Sequence, residues 1–139
     1  TGTRDGMDIS LIRVNKKTKE FQWAGALRPL LVLRKDAQKM EIIQGDRQSI
    51  CFVEDQNPFT NIEGTLENGD TVYLFSDGYA DQFGGERGKK FKTKQLVSLL
   101  ISLNNQPMEM QKKALASSFE EWKAGFEQID DVCVIGVRV

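Results

Sequence analysis

From residue 7 to residue 14, apolar and polar positions roughly alternate. This predicts a strand with Met7, Ile9 and Leu11 on one face. Asn15-Lys16-Lys17-Thr18 supplies a turn, and residues 20–25 read as the returning strand of a hairpin. Pro29 opens an apolar run, Leu30-Leu31-Val32-Leu33. Proline is tolerated at the first residue of a strand, where its missing N–H costs least. Residues 39–43 form a weaker fourth candidate. Residues 44–58 are polar and read as a long loop around Ile50-Cys51-Phe52-Val53. Two further runs, 59–66 and 71–75, flank Glu67-Asn68-Gly69-Asp70. That is a hairpin signal, because Asn-Gly accepts positive φ. Val72-Tyr73-Leu74-Phe75 is apolar without a break, as expected of a strand covered on both faces.

The pattern then changes period. Residues 77–92 are glycine-rich and charged and read as a loop. Leu96, Leu99, Leu100 and Leu103 follow at helical spacing. Pro107 restarts the chain at a first helical position. Leu115, Phe119 and Trp122 mark a second amphipathic helix that ends near Gly125. Residues 132–139 form a last apolar strand, broken by Gly136 and Arg138. Many strands, two helices and one strand, with no repeat or linker, predict an α+β domain. Its sheet is mostly antiparallel, and two helices pack on one face before the last strand.

At 139 residues, the chain has the length of one ordinary domain. Its net charge of −1 makes neither nucleic acid nor an anionic membrane the default partner. No run reaches transmembrane length and no signal-peptide pattern opens the sequence. Cys51 and Cys133 stand alone, without a CxxC pair, which fits a reduced, cytoplasmic setting. The sequence contains no histidine. That excludes a Ser-His-Asp triad, a Cys-His dyad and a His-bound zinc site. Catalysis would have to run on carboxylates, hydroxyls, amines or a metal held by oxygen.

The most informative stretch runs from Gly69-Asp70 to Ser76-Asp77-Gly78. A buried strand ends in a carboxylate followed by glycine. A strand end is rigid, so that carboxylate is well positioned, and glycine lets the backbone turn and leaves room for a ligand. Asp130-Asp131 sits at the entrance of the last strand. If that strand lies beside the one ending at Asp77, the carboxylates share one site. Oxygen ligands suit Mg²⁺ or Mn²⁺. The plain alternative is that Ser-Asp-Gly is only a turn and Asp-Asp only a solvated pair. Asp8 could line the same cleft, although an outward strand carboxylate is more common. Phe83-Gly84-Gly85-Glu86-Arg87-Gly88-Lys89-Lys90 is not a phosphate-binding loop of the nucleotide type. Phe83 occupies the first required glycine and Lys90 stands where Ser or Thr belongs. It reads as a loop over the site, with Arg87 and Lys89 as candidate contacts to a substrate phosphate.

Asp5-Gly6-Met7-Asp8-Ile9, Trp23-Ala24-Gly25-Ala26 with Pro29-Leu30, the Gly69–Asp81 block and Asp130-Asp131-Val132 fall in a familiar order. In that order the chain resembles, over nearly its whole length, the C-terminal part of a SpoIIE-type serine/threonine phosphatase domain of the protein phosphatase 2C-like superfamily. The resemblance implies a β-sandwich flanked by helical pairs. It implies catalytic Mn²⁺ or Mg²⁺ bound by Asp77 and Asp130, with Gly78 beside the metal and Asp131 as a further neighbour. The implied reaction is hydrolysis of phosphoserine or phosphothreonine in a protein by metal-activated water. The implied substrate is a bacterial regulator such as an anti-sigma-factor antagonist, and the implied setting is behind an upstream sensor domain.

The departures carry weight of their own. In the family a strand bearing Gly-Asp, whose aspartate bridges two metals, opens the domain, and a second Asp-Gly block with His-Gly follows. Neither precedes Asp5 here. The expectation is therefore that residues 1–139 are the C-terminal portion of such a domain, lacking its N-terminal metal-binding motif and inactive alone. Leu27-Arg28 replaces a frequent Asn-Asn, and Cys51 stands where glycine is expected. The alternative function is a non-catalytic scaffold or regulatory module, a pseudophosphatase that binds a protein partner. Open sheet edges would also favour self-association into a homo-oligomer.

Overall fold

The computed structural model describes residues 5–51 and 54–139. Phe52 and Val53 of the apolar quartet at 50–53 lie outside the described residues. In chain order the strands are β1 (Gly6–Met7), β2 (Ile9–Val14), β3 (Glu20–Ala26), β4 (Leu30–Leu33), β5 (Glu41–Ile43), β6 (Ile50–Cys51), β7 (Ile62–Thr65) and β8 (Thr71–Phe75). A short helix α1 (Gly78–Asp81) and a small hairpin of β9 (Phe83–Gly84) and β10 (Lys89–Lys90) follow. Helices α2 (Thr93–Ser102) and α3 (Met108–Lys123) then precede β11 (Val134–Arg138). The fold is α+β with antiparallel strand ladders, as the pattern predicts.

Two sheets carry the architecture. One runs in the order β11-β8-β4-β5 and the other β2-β3-β7. The two central strands of the four-stranded sheet, β4 and β8, are covered on both faces, while its outer strands β5 and β11 are largely exposed. Leu31, Leu33, Tyr73 and Phe75 pack with Leu96, Leu100 and Phe119 of α2 and α3. Leu30, Val32 and Val72 face the other way, onto Phe21, Trp23 and Leu66 from the three-stranded sheet and the chain that leaves it. This two-sided cover is why the runs at 30–33 and 72–75 have no polar interruption. Each fully buried leucine there contributes about 1.5–3 kcal/mol relative to exposure.

Four expectations are corrected. The alternation at 7–14 is real, but Met7 and Leu11 point outward. Both are exposed, while Ile12 and Val14 face the core. Register decides this: Ile12 and Val14 stand opposite Trp23 and Phe21, and Trp23 donates its indole N–H to Ser10 Oγ at 2.8 Å. Second, residues 67–70 do not close a hairpin. They carry the chain from β7 in one sheet to β8 in the other. Buried Asp70 holds this crossing by accepting from the N–H of Lys35 and Glu67 and from Arg34, at 2.9, 2.8 and 3.0 Å. Third, the loop at 44–58 contains β6, which pairs with β1, and the loop at 77–92 contains α1 and the β9–β10 hairpin. Fourth, Pro107 is the residue that caps α3, with an extended ψ of 150°, and not its first helical residue.

Candidate metal centre

The last strand lies beside the strand that ends at Asp77. β11 pairs antiparallel with β8, and Val134 stands opposite Phe75. The chain leaving β8 and the chain entering β11 therefore meet at one rim of the sheet. There Asp77, just beyond β8, and Asp130, shortly before β11, lie close enough for the charge of Asp130 to act on the Asp77 carboxyl.

Local chemistry fixes this meeting. Ser76 Oγ donates to the Asp131 carbonyl at 3.0 Å and accepts the Cys133 N–H at 3.0 Å. The Ser76 N–H adds a bond to the Cys133 carbonyl at 2.9 Å. Gly78 packs its backbone against the Asp131 carbonyl, leaving no room for a Cβ. Behind Gly78, Tyr79 anchors α1 to α3 by donating its hydroxyl to the Leu115 carbonyl at 2.7 Å. Its ring packs on Phe91 and Phe119, with centroids 5.3 and 5.1 Å away. On the other side, Arg28 donates through Nε and Nη2 to the Phe75 carbonyl, at 3.1 and 2.7 Å. Its guanidinium also lies 4.7 Å from the centre of the Phe75 ring.

The electrostatics follow from the crowding. Partial burial, then the neighbouring Asp130 carboxyl, hold the Asp77 carboxyl above the usual aspartate range. Asp81 adds to this, and the Arg28 charge works against it. Two carboxylates held close are a donor set suited to a hard divalent cation. Among the described residues no third Asp, Glu, Cys or His joins them in a metal-sized cluster. The pair thus fits part of an oxygen-ligand site.

Against known proteins, the chain matches the Stage II sporulation protein E (SpoIIE) family over residues 3–139. The chain belongs to the SpoIIE family. No curated protein matches it. Among solved structures it is similar to the SiaA-PP2C domain of Pseudomonas aeruginosa, with 29% identity and a TM-score of 0.85. That match covers 95% of this chain and 51% of the other. It is also similar in fold to the phosphatase domain of SpoIIE from Bacillus subtilis, from a Mn-presoaked structure, at 16% identity and a TM-score of 0.67, covering 95% and 56%. The RsbU and RsbW domains of Rv1364c from Mycobacterium tuberculosis match at 16% identity and a TM-score of 0.73, covering 94% and 35%. The chain spans about half the length of the first two.

In this SpoIIE-family chain the other site candidates fall as follows. Asp131 acts through its backbone: its N–H donates to Asp130 Oδ1 at 2.8 Å and its carbonyl receives Ser76. Arg87 and Lys89 line a separate cleft that contains neither Asp77 nor Asp130. Asp8 lines the cleft of about 320 Å³ that contains Asp77, Arg28 and Ser76. It is exposed to solvent at the mouth of that cleft. Arg28 was missed, and its only signal was its departure from the Asn-Asn of the family. Ser76 carries no signal of its role in the sequence, because its partners at 131 and 133 are distant along the chain.

Proposed function

We propose that the chain forms part of a metal-dependent phosphatase domain that hydrolyses phosphoserine or phosphothreonine in a protein. The observation that carries this reading is the meeting of Asp77 and Asp130 at one sheet rim in a SpoIIE-family chain. Asp77 and Asp130 would hold Mn²⁺ or Mg²⁺. A bound cation would supply Lewis acidity toward a phosphoryl oxygen and lower the pKa of water. The chain's own residues do the positioning. Ser76 and Gly78 set the separation of the two aspartates, Arg28 fixes the strand end, and Tyr79 locks the segment after Asp77. In this reading residues 1–139 are the C-terminal portion of the domain, and a carboxylate from a segment outside them completes the metal site. The substrate would be a phosphorylated bacterial regulator such as an anti-sigma-factor antagonist. The domain would act in the cytoplasm behind a sensor domain. Among the described residues no helix is long and apolar enough to cross a membrane.

The second reading is a pseudophosphatase that binds a protein partner without hydrolysing it. It draws on the two-carboxylate donor set. One assay separates the two readings: phosphate release from a phosphoserine peptide with Mn²⁺, by a protein as long as the structures matched. The phosphatase reading expects turnover that Asp77→Ala and Asp130→Ala each abolish with the fold intact by circular dichroism. No turnover in that longer protein would leave the scaffold reading in its place.

A further inference from the structure

A second cleft lies away from the aspartates, between the β9–β10 hairpin, the start of α2 and Trp122. Its volume is about 370 Å³. Arg87, Lys89, Lys90 and Lys92 line it, with Glu86 as the one carboxylate. Lys90 is engaged by Asp81 at 3.6 Å, which ties the hairpin to α1. The other three cations have no ion pair among the described residues. Like charges gathered on one wall repel each other and lower stability unless something anionic answers them.

These cations are presented on a fixed element. Gly84 and Gly85 press against Trp122 so closely that neither could carry a side chain without displacement. The Gly85 N–H donates to the Trp122 carbonyl at 3.1 Å, and the Trp122 indole donates to the Gln82 carbonyl at 2.8 Å. The Trp122 ring also stacks edge-on with buried Phe91, centroids 5.3 Å apart. The cleft therefore has a rigid aromatic floor beneath its positive wall.

Lys92 supplies an independent sign. Its φ of 76° and ψ of 149° lie in a region that essentially only glycine adopts without strain. Its N–H is held by the Ala80 carbonyl at 2.7 Å, so the conformation is imposed. A lysine at a position suited to glycine costs stability, and Lys92 lines the same cleft as Arg87 and Lys89.

We propose that this cleft binds an acidic segment of a protein partner, through Arg87, Lys89 and Lys92 over Trp122. Its openness and the spread of cations from residue 87 to residue 92 suit an extended peptide with several carboxylates rather than one small anion. Nucleic acid, the other polyanion these cations could answer, is set against the peptide in the test. In the phosphatase reading this is a docking site that recognises the partner away from the reacting phosphate. The proposal does not need the metal centre, and its test reads no hydrolysis.

The test is fluorescence anisotropy of the 139-residue chain with a labelled Glu-rich peptide and with its Gln counterpart. The Glu peptide alone should bind, and added salt should weaken it. The double variant Arg87→Ala, Lys89→Ala should lose about fivefold or more in affinity without lowering the melting temperature, since it removes two mutually repelling charges. Lys92→Gly should weaken binding while raising the melting temperature by about 3 °C or more, since strain is released. A purely structural Lys92 could not give that pair of changes. Asp77→Asn should leave peptide binding unaltered. Equal binding of the Gln peptide, unchanged affinity in both basic variants, or tighter binding of an RNA oligonucleotide than of the Glu peptide would each overturn the proposal.

Discussion

The backbone of Gly78 rests directly on the carbonyl of Asp131, in the space a Cβ would need. That contact brings the segment leaving β8 against the segment entering β11. It thereby sets how near Asp77 comes to Asp130. Gly78→Ala must push the two segments apart. We expect a loss of about 1–3 kcal/mol in stability, the usual cost of overpacking. Mn²⁺ affinity should fall at the same time. Urea denaturation and calorimetric titration of the variant check both.

Ser76 makes the complementary link by hydrogen bonding. Ser76→Ala removes a donor to the Asp131 carbonyl and an acceptor for the Cys133 N–H. Both partners can reach water, so the expected cost is modest, about 1 kcal/mol. The larger expected effect is on metal affinity, because the position of Asp130 is no longer tied to that of Asp77. A variant that melted early yet bound Mn²⁺ as the parent does would show that Ser76 serves the fold alone.

Asp70 and Asp77 should give opposite dependences on pH. Burial alone pushes the Asp70 carboxyl up, but the N–H groups of Glu67 and Lys35 and the Arg34 guanidinium outweigh it and draw it down. Its contribution is complete above the ordinary aspartate pKa and is lost as pH falls through its lower native value. Asp70→Asn places an amide N–H₂ toward donors, so it should cost about 2–4 kcal/mol at neutral pH. It should also flatten the acid side of the stability profile. Chemical denaturation across pH 2–7 reads both effects.

Asp77 behaves the other way in the absence of metal. Its native carboxyl takes up a proton at a pH where the unfolded aspartate does not. Stability attributable to it therefore rises as pH falls through that raised value, and levels off at the ordinary one. Asp77→Asn should stabilise the metal-free chain at neutral pH and abolish this acid-side gain. Added Mn²⁺ should stabilise the parent chain and not the variant. Thermal melts with and without Mn²⁺ at pH 4 and 7 distinguish these outcomes.

Much of this was legible in the residues. The apolar runs at 30–33 and 72–75 announced strands covered on both sides, and the leucine spacing at 96–103 announced their helical cover. That Asp77 ends a buried strand and Asp130 precedes the last one was legible in the apolar runs beside them, and the pairing of β8 with β11 brings these strand ends to one rim. Three features were not readable, each for a physical reason. Period-two alternation at 7–14 shows that faces differ but not which is inward, and that was decided by Trp23 across the ladder. Asn68-Gly69 makes a turn whether the next strand pairs with the last or crosses to another sheet. The choice lay with buried Asp70 and its partners at 34 and 35. Arg28 reaches the site through a carbonyl 47 residues away, a relationship no spacing rule contains.

The central claim is that Asp77 and Asp130 together hold a divalent cation. Paramagnetic broadening by Mn²⁺ in the ¹H–¹⁵N spectrum of the chain tests it most directly. With two carboxylate ligands, binding should be weak, roughly millimolar as in low-affinity oxygen sites. The account predicts that substoichiometric Mn²⁺ broadens the amides of Ser76, Asp77, Gly78, Asp130 and Asp131 before all others. It predicts that Asp77→Asn and Asp130→Asn each abolish that pattern. Selective broadening elsewhere, or micromolar binding that survives Asp77→Asn, would contradict it.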